Sequence, residues 1–123
     1  MEAFEKGGLP SGTFHHAEHV KMAFLYLKKF APLEALRRFS SGLAQFATTH
    51  GKPDLYNETI TWAFFLLIRE RIARANPSQT WAEFSASNGD LLCRTDNVLK
   101  KYYRPETLAS PLAKSVFLFP DKI

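Results

Sequence analysis

Four histidines and a glutamate are the residues best placed to do chemistry. In residues 14–19, Phe14-His15-His16-Ala17-Glu18-His19, three imidazoles and a carboxylate follow closely on one another. His16 and His19 are three apart and share a helix face. That face continues through Val20, Ala23 and Leu27, so both rings are expected to look inward near the helix start. A buried imidazole needs hydrogen-bond partners for its nitrogens. Two imidazoles facing one small space suit a divalent metal and, less tightly, a general acid–base pair. The bland alternative is an ordinary hydrogen-bonded histidine.

The stretch Tyr56-Asn57-Glu58-Thr59-Ile60-Thr61-Trp62 is the second candidate. Glu58 stands at the start of a helix, whose dipole favours the ionised carboxylate there. It is expected to complete a His-His-carboxylate set, to serve as general base, or to cap its own helix. Tyr56 has a phenol to offer to Glu58 or to a substrate anion, and Thr59 and Thr61 are expected to bond backbone. His50 precedes Gly51 at the end of a helix, where a protonated imidazole suits the dipole. The string His15-x-x-Glu18-His19 also matches the inverted zinc-protease pattern, but a His-rich segment matches by chance and such enzymes are larger.

The elements that must position these residues are all helical. Residues 1–12 read as a flexible tail broken by Gly7, Gly8, Pro10 and Gly12. Thr13 is the expected cap of a first helix over 15–30, with Glu18 in its first turn and Lys28-Lys29 in its last. Pro32 opens a second helix that Gly51 closes. A third covers 57–75, with a middle, Trp62 to Ile68, that reads as apolar on every side and hence central. Thr80 and Glu83 form a capping-box pattern for a short fourth helix over 80–87. Residues 91–103 read as a fifth helix or a pair of turns, broken near Arg94-Thr95. A helical turn at 106–109 and an extended 116–120 follow in an irregular tail. No alternating run is long enough for a sheet.

Connection order then does what no single motif does. If the first three helices run antiparallel in turn, the start of the first, the end of the second and the start of the third share one end. His16, His19, His50 and Glu58 are therefore expected close together.

Composition sets the frame. The chain has 123 residues, enough for one domain, here 13–123, that buries most of its surface without a metal or disulfide to hold it. Its 11 phenylalanines imply an aromatic core. The single Cys93 has no internal disulfide partner and no zinc-site spacing, and reads as a small buried hydrophobe. The N-terminus lacks the pattern of a signal peptide, and the longest apolar run is too short to span a bilayer, so a cytoplasmic location is expected and a membrane partner is not. The net charge of +4 is spread over the pairs Lys28-Lys29, Arg37-Arg38 and Lys100-Lys101 with no base-reading motif, which argues against nucleic acid.

With these residues in view, the chain resembles a family of small, largely uncharacterised bacterial helical proteins. The shared features are Phe14-x-His16-x-x-His19, His50-Gly51 to Tyr56-x-Glu58-Thr59-Ile60-Thr61-Trp62, and Pro120-Asp121. Relatives carry histidine where this chain has Asn57. The resemblance favours His16 over His15 as partner of His19 and names no reaction. The sequence thus predicts an all-α, single-domain bundle of about four to five helices with a polar pocket at one end. His16, His19, Glu58 and His50 are the candidate metal ligands, for zinc, iron, manganese or nickel, and Glu58 and Tyr56 the candidate catalytic residues. The expected function is a metal-dependent hydrolase or lyase acting on a small molecule. The alternative is a protein-interaction module that uses the basic end of the third helix and the aromatic C-terminus, with structural histidines.

Overall fold

The computed structural model describes residues 16–93 and 97–122. The expected tail over 1–12, the cap at Thr13, His15 with its protease-like string, and the break near Arg94-Thr95 all fall, wholly or in part, outside them. The described chain is all-helical, with helices α1 (His16–Lys29), α2 (Pro32–Thr49), α3 (Glu58–Arg74), α4 (Trp81–Ser87), α5 (Gly89–Leu92), α6 (Pro105–Ala109) and α7 (Pro111–Ser115). Short 3-10 turns lie at Pro53–Leu55 and Val98–Lys101.

The three long helices form the body, each packing on the other two. Pro32 fills the first turn of α2, where a missing N–H costs nothing. At the other end Gly51 takes a left-handed φ of 72°. Its N–H donates to the Thr48 carbonyl and that of Lys52 to the Ala47 carbonyl, which ties off two orphan acceptors of α2. Asn57 caps α3 by accepting the Ile60 N–H at 2.9 Å. Thr80 and Glu83 form the reciprocal capping box at α4.

The core is aromatic. Phe24 meets Phe84 with ring centroids 5.0 Å apart, and Phe39 meets Phe65 at 5.5 Å. Tyr26 is fully buried beside Phe39, a core residue that the apolar stripe of α1 did not single out. Each good aromatic contact of this kind adds about 0.5–1.5 kcal/mol beyond the area it buries.

Two expectations change. The middle of α3 is not buried all round: Leu66 is 44% exposed. The helix gives one arc to α1 and α2 and another to the C-terminal segment, and the remaining arc meets solvent. The C-terminal region is also more ordered than an irregular tail. Pro105 and Pro111 each open a short helix, and the Ser110 hydroxyl caps α7 by accepting the Ala113 N–H. Beyond α7 the chain is non-helical and lies on the body, as expected for 116–120. The described part of 91–103 holds the end of α5 and the second 3-10 turn, which Asn97 caps through the Leu99 N–H. No helix among the described residues is long and apolar enough to cross a membrane.

Candidate functional site

The antiparallel run of α1, α2 and α3 leaves a cavity of about 620 Å³ between them, within the range of sites that take small organic ligands. His16 and His19 from the first turn of α1, His50 from the cap of α2, and Tyr56 and Asn57 from the lead-in to α3 all line it. The expected meeting of these three chain segments at one end of the bundle is therefore present. The apolar wall comes from Val20, Ala23, Phe39, Phe65 and Ile68, all buried.

His16 is held from two sides. Its Nε2 lies 2.9 Å from the Leu91 carbonyl oxygen. A carbonyl only accepts, so Nε2 carries the hydrogen, and in the neutral ring Nδ1 is the basic nitrogen. The ring also stands edge-on to Phe64, with centroids 5.0 Å apart. A helix-start position, a remote carbonyl and an aromatic neighbour thus fix both tautomer and orientation. His50 packs edge-on against Phe46 at 4.4 Å.

Tyr56 links the cavity to Glu58. Its hydroxyl donates to the Glu58 carboxylate. Burial pushes the phenol's pKa far up, and the hydrogen bond and negative charge of Glu58 push it further, while Thr61 and Ser40 act weakly the other way. The phenol is therefore neutral at any physiological pH. Glu58 itself does not stand on the cavity wall with the histidines. Its carboxylate is engaged by Tyr56, two residues before the helix that Glu58 begins. Among the described residues, no three His, Cys, Asp or Glu side chains are grouped so as to hold a metal ion.

Some polar wall residues were not among the expected site residues. Lys52, Asn97 and Asn57 reach the cavity. Lys52 was read only as part of a turn, yet the Gly51 cap is what turns it back toward the end of α2. Asn57 joins the wall while its Nδ2 donates to the Leu108 carbonyl at 2.7 Å. Thr59 and Thr61 were expected to bond backbone. Thr59 does so, although to a remote segment: it donates to the Val116 carbonyl at 2.8 Å and accepts the Leu118 N–H at 3.1 Å. Cys93, expected buried, is only half-buried.

No family model matches the chain, and no curated protein or solved structure matches it.

Proposed function

We propose that the cavity is a small-molecule site at which His16 acts as general base in a hydrolase- or lyase-type reaction. The observation that carries this is the lining itself: three of the chain's four histidines share one largely apolar cavity. His16 is already locked in one tautomer by the Leu91 carbonyl. Tyr56, neutral and bonded to Glu58, supplies a positioned phenol to the same wall, with Glu58 acting as its positioning residue. His19 and His50 line the same cavity. Apolar surroundings keep bulk water from competing and strengthen each polar contact with a bound substrate.

The test is turnover of short aryl esters by the purified chain. His16→Ala is expected to lose about a hundredfold or more, the usual contribution of a general base, with helix content unchanged by circular dichroism. Wild-type inactivity on ester, thioester and β-hydroxy acid probes overturns the reading. So does a His16→Ala variant that turns over as fast as wild type.

One observation also favours the divalent-metal form of this site. A metal-ligating histidine commonly donates its second ring nitrogen to a carbonyl or carboxylate, as His16 does to Leu91. In that form His16 and His19 would be the first ligands, and the zinc, iron, manganese or nickel ion would supply Lewis acidity. Elemental analysis of tag-free protein checks this. Stoichiometric metal lost in His16→Ala supports it, and equal metal content in both proteins sinks it.

A further inference from the structure

The cavity is graded from one side to the other. Val20, Ala23, Phe39, Phe65 and Ile68 make a floor that solvent scarcely reaches. Lys52 and Leu55 are exposed, Leu55 at 72%, and His50 is half-buried, so these residues form the rim. An apolar floor below a polar rim matches a ligand with an apolar body and one polar end.

The sign of that polar end follows from the ionisable groups. Every basic or potentially basic group on the described wall is a cation or becomes one on protonation: His16, His19, His50 and Lys52. The one acidic wall group is the Tyr56 phenol, which burial and Glu58 keep protonated. No aspartate or glutamate stands on the described wall, although the chain has 12 of them. Glu18, Asp54 and Glu58 each adjoin a wall residue in the chain but do not line the cavity, and Glu58 already has a hydrogen-bond donor in Tyr56. On the described wall a cationic ligand would meet no carboxylate, whereas an anion would find an ammonium at the rim and imidazoles beneath it. A strongly charged, wholly polar anion would leave the floor unfilled.

We infer that the site takes an amphiphilic organic acid, its hydrocarbon part on the Phe39, Phe65 and Ile68 floor and its carboxylate at the Lys52 and His50 rim. This rests on the reading of the cavity as a small-molecule site and names the ligand class for it. Lys52 sets the preference for the acid, because a rim charge selects among ligands more than it adds raw affinity. The floor sets the requirement for hydrocarbon, since buried apolar area provides the main drive for association.

Isothermal titration with decanoate, decan-1-ol and decylamine tests the inference, each kept below its aggregation threshold. Decanoate is expected to bind the wild-type chain about tenfold more tightly than decylamine. Lys52→Gln should remove most of that preference and leave decan-1-ol unchanged. Ala47→Trp, which fills the wall from α2, should abolish binding of all three. If Ala47→Trp disturbs the fold by circular dichroism, Leu43→Phe serves the same purpose. Equal or tighter binding of decylamine overturns the inference, and so does decanoate binding that survives filling of the cavity. Should no probe bind while aryl-ester turnover still depends on His16, the amphiphilic acid is wrong and the small-molecule site stands. Should both binding and turnover be absent, both readings fall.

Discussion

Helix α3 meets the rest of the protein on two faces that are finished differently. One face carries Ile60, Thr61, Phe64, Phe65 and Ile68, and it walls the cavity. The other carries Thr59 and Trp62, and the chain's own C-terminal segment closes it. There Thr59 holds the backbone of Val116 and Leu118, and Trp62 stacks on Phe117 with centroids 5.7 Å apart. Tyr103 adds a hydrogen bond from its hydroxyl to the Leu118 carbonyl at 2.7 Å. On the closed face the C-terminal backbone supplies both partners of the Thr59 hydroxyl, while the buried Trp62 indole N–H is left without a hydrogen bond among the described residues. On the cavity face the protein leaves space with imidazoles, an ammonium and amides around it. A fold that can seal one side of a helix with its own residues has a reason to leave the other side open, and we take that reason to be a ligand.

The two faces make different demands on substitution. The largest effect is expected where the cavity face is also core. Phe65→Ala removes a ring that is 1% exposed and should cost about 3–5 kcal/mol in denaturant unfolding. A loss below about 1 kcal/mol would mean that the cavity face carries little of the core packing. Next comes the closed face. Thr59→Val keeps shape but strands a part-buried carbonyl and N–H, for an expected loss of about 2 kcal/mol. The matching Thr61→Val on the cavity face should cost no more than about 1 kcal/mol, because its hydroxyl serves no remote backbone. Equal losses for the two threonines would erase the contrast. Ser110→Ala, which uncaps the helix leading to the strap, should cost about 1 kcal/mol.

The smallest effects are in pH. The phenols of Tyr56 and Tyr103 are both raised above the ordinary tyrosine range, chiefly by burial. Protonated phenol is thus favoured in the folded state, so their stabilising contribution is complete below about pH 10 and declines as pH rises above it. Tyrosinate absorbance from these two residues should appear only with unfolding, and Tyr56→Phe should flatten the alkaline loss of stability. At the acid end the Arg71 guanidinium holds the Asp90 carboxyl below its usual range. That contribution is present above about pH 4 and fades as pH falls through the lowered value. The pair is half in solvent, so Asp90→Asn should cost no more than about 0.5 kcal/mol near neutrality. Neither effect should differ between ligand-free protein and protein with its cavity filled, except at Tyr56, which lines it.

Much of this was legible in residue order. Helix boundaries followed from local signals: Pro32 at a first turn, Gly51 as a left-handed cap, and Thr80 with Glu83 as a capping box all do in the structure what their types imply. The gathering of His16, His19 and His50 followed from helix order and short connections, which bring those segments to one end whatever the side chains are, but Glu58, expected with them, is not on the wall. Periodicity did not show that Leu66 faces solvent or that Tyr26 is fully buried, because it cannot tell which arc of a helix finds a neighbour.

What the sequence by itself determined is therefore the all-helical class, the capping residues and the end of the bundle at which the histidines collect. Only the tertiary structure decided the direction of each side chain. It paired Glu58 with Tyr56 and left it off the cavity wall, gave His16 the Leu91 carbonyl across 75 residues of chain, and brought Lys52 to the rim. The physical reason is the range of the forces involved. Caps and helix periods are set within a few residues, where the chain's own geometry fixes the partners. A buried donor must find an acceptor wherever packing leaves one, and that choice depends on residues far apart in the chain.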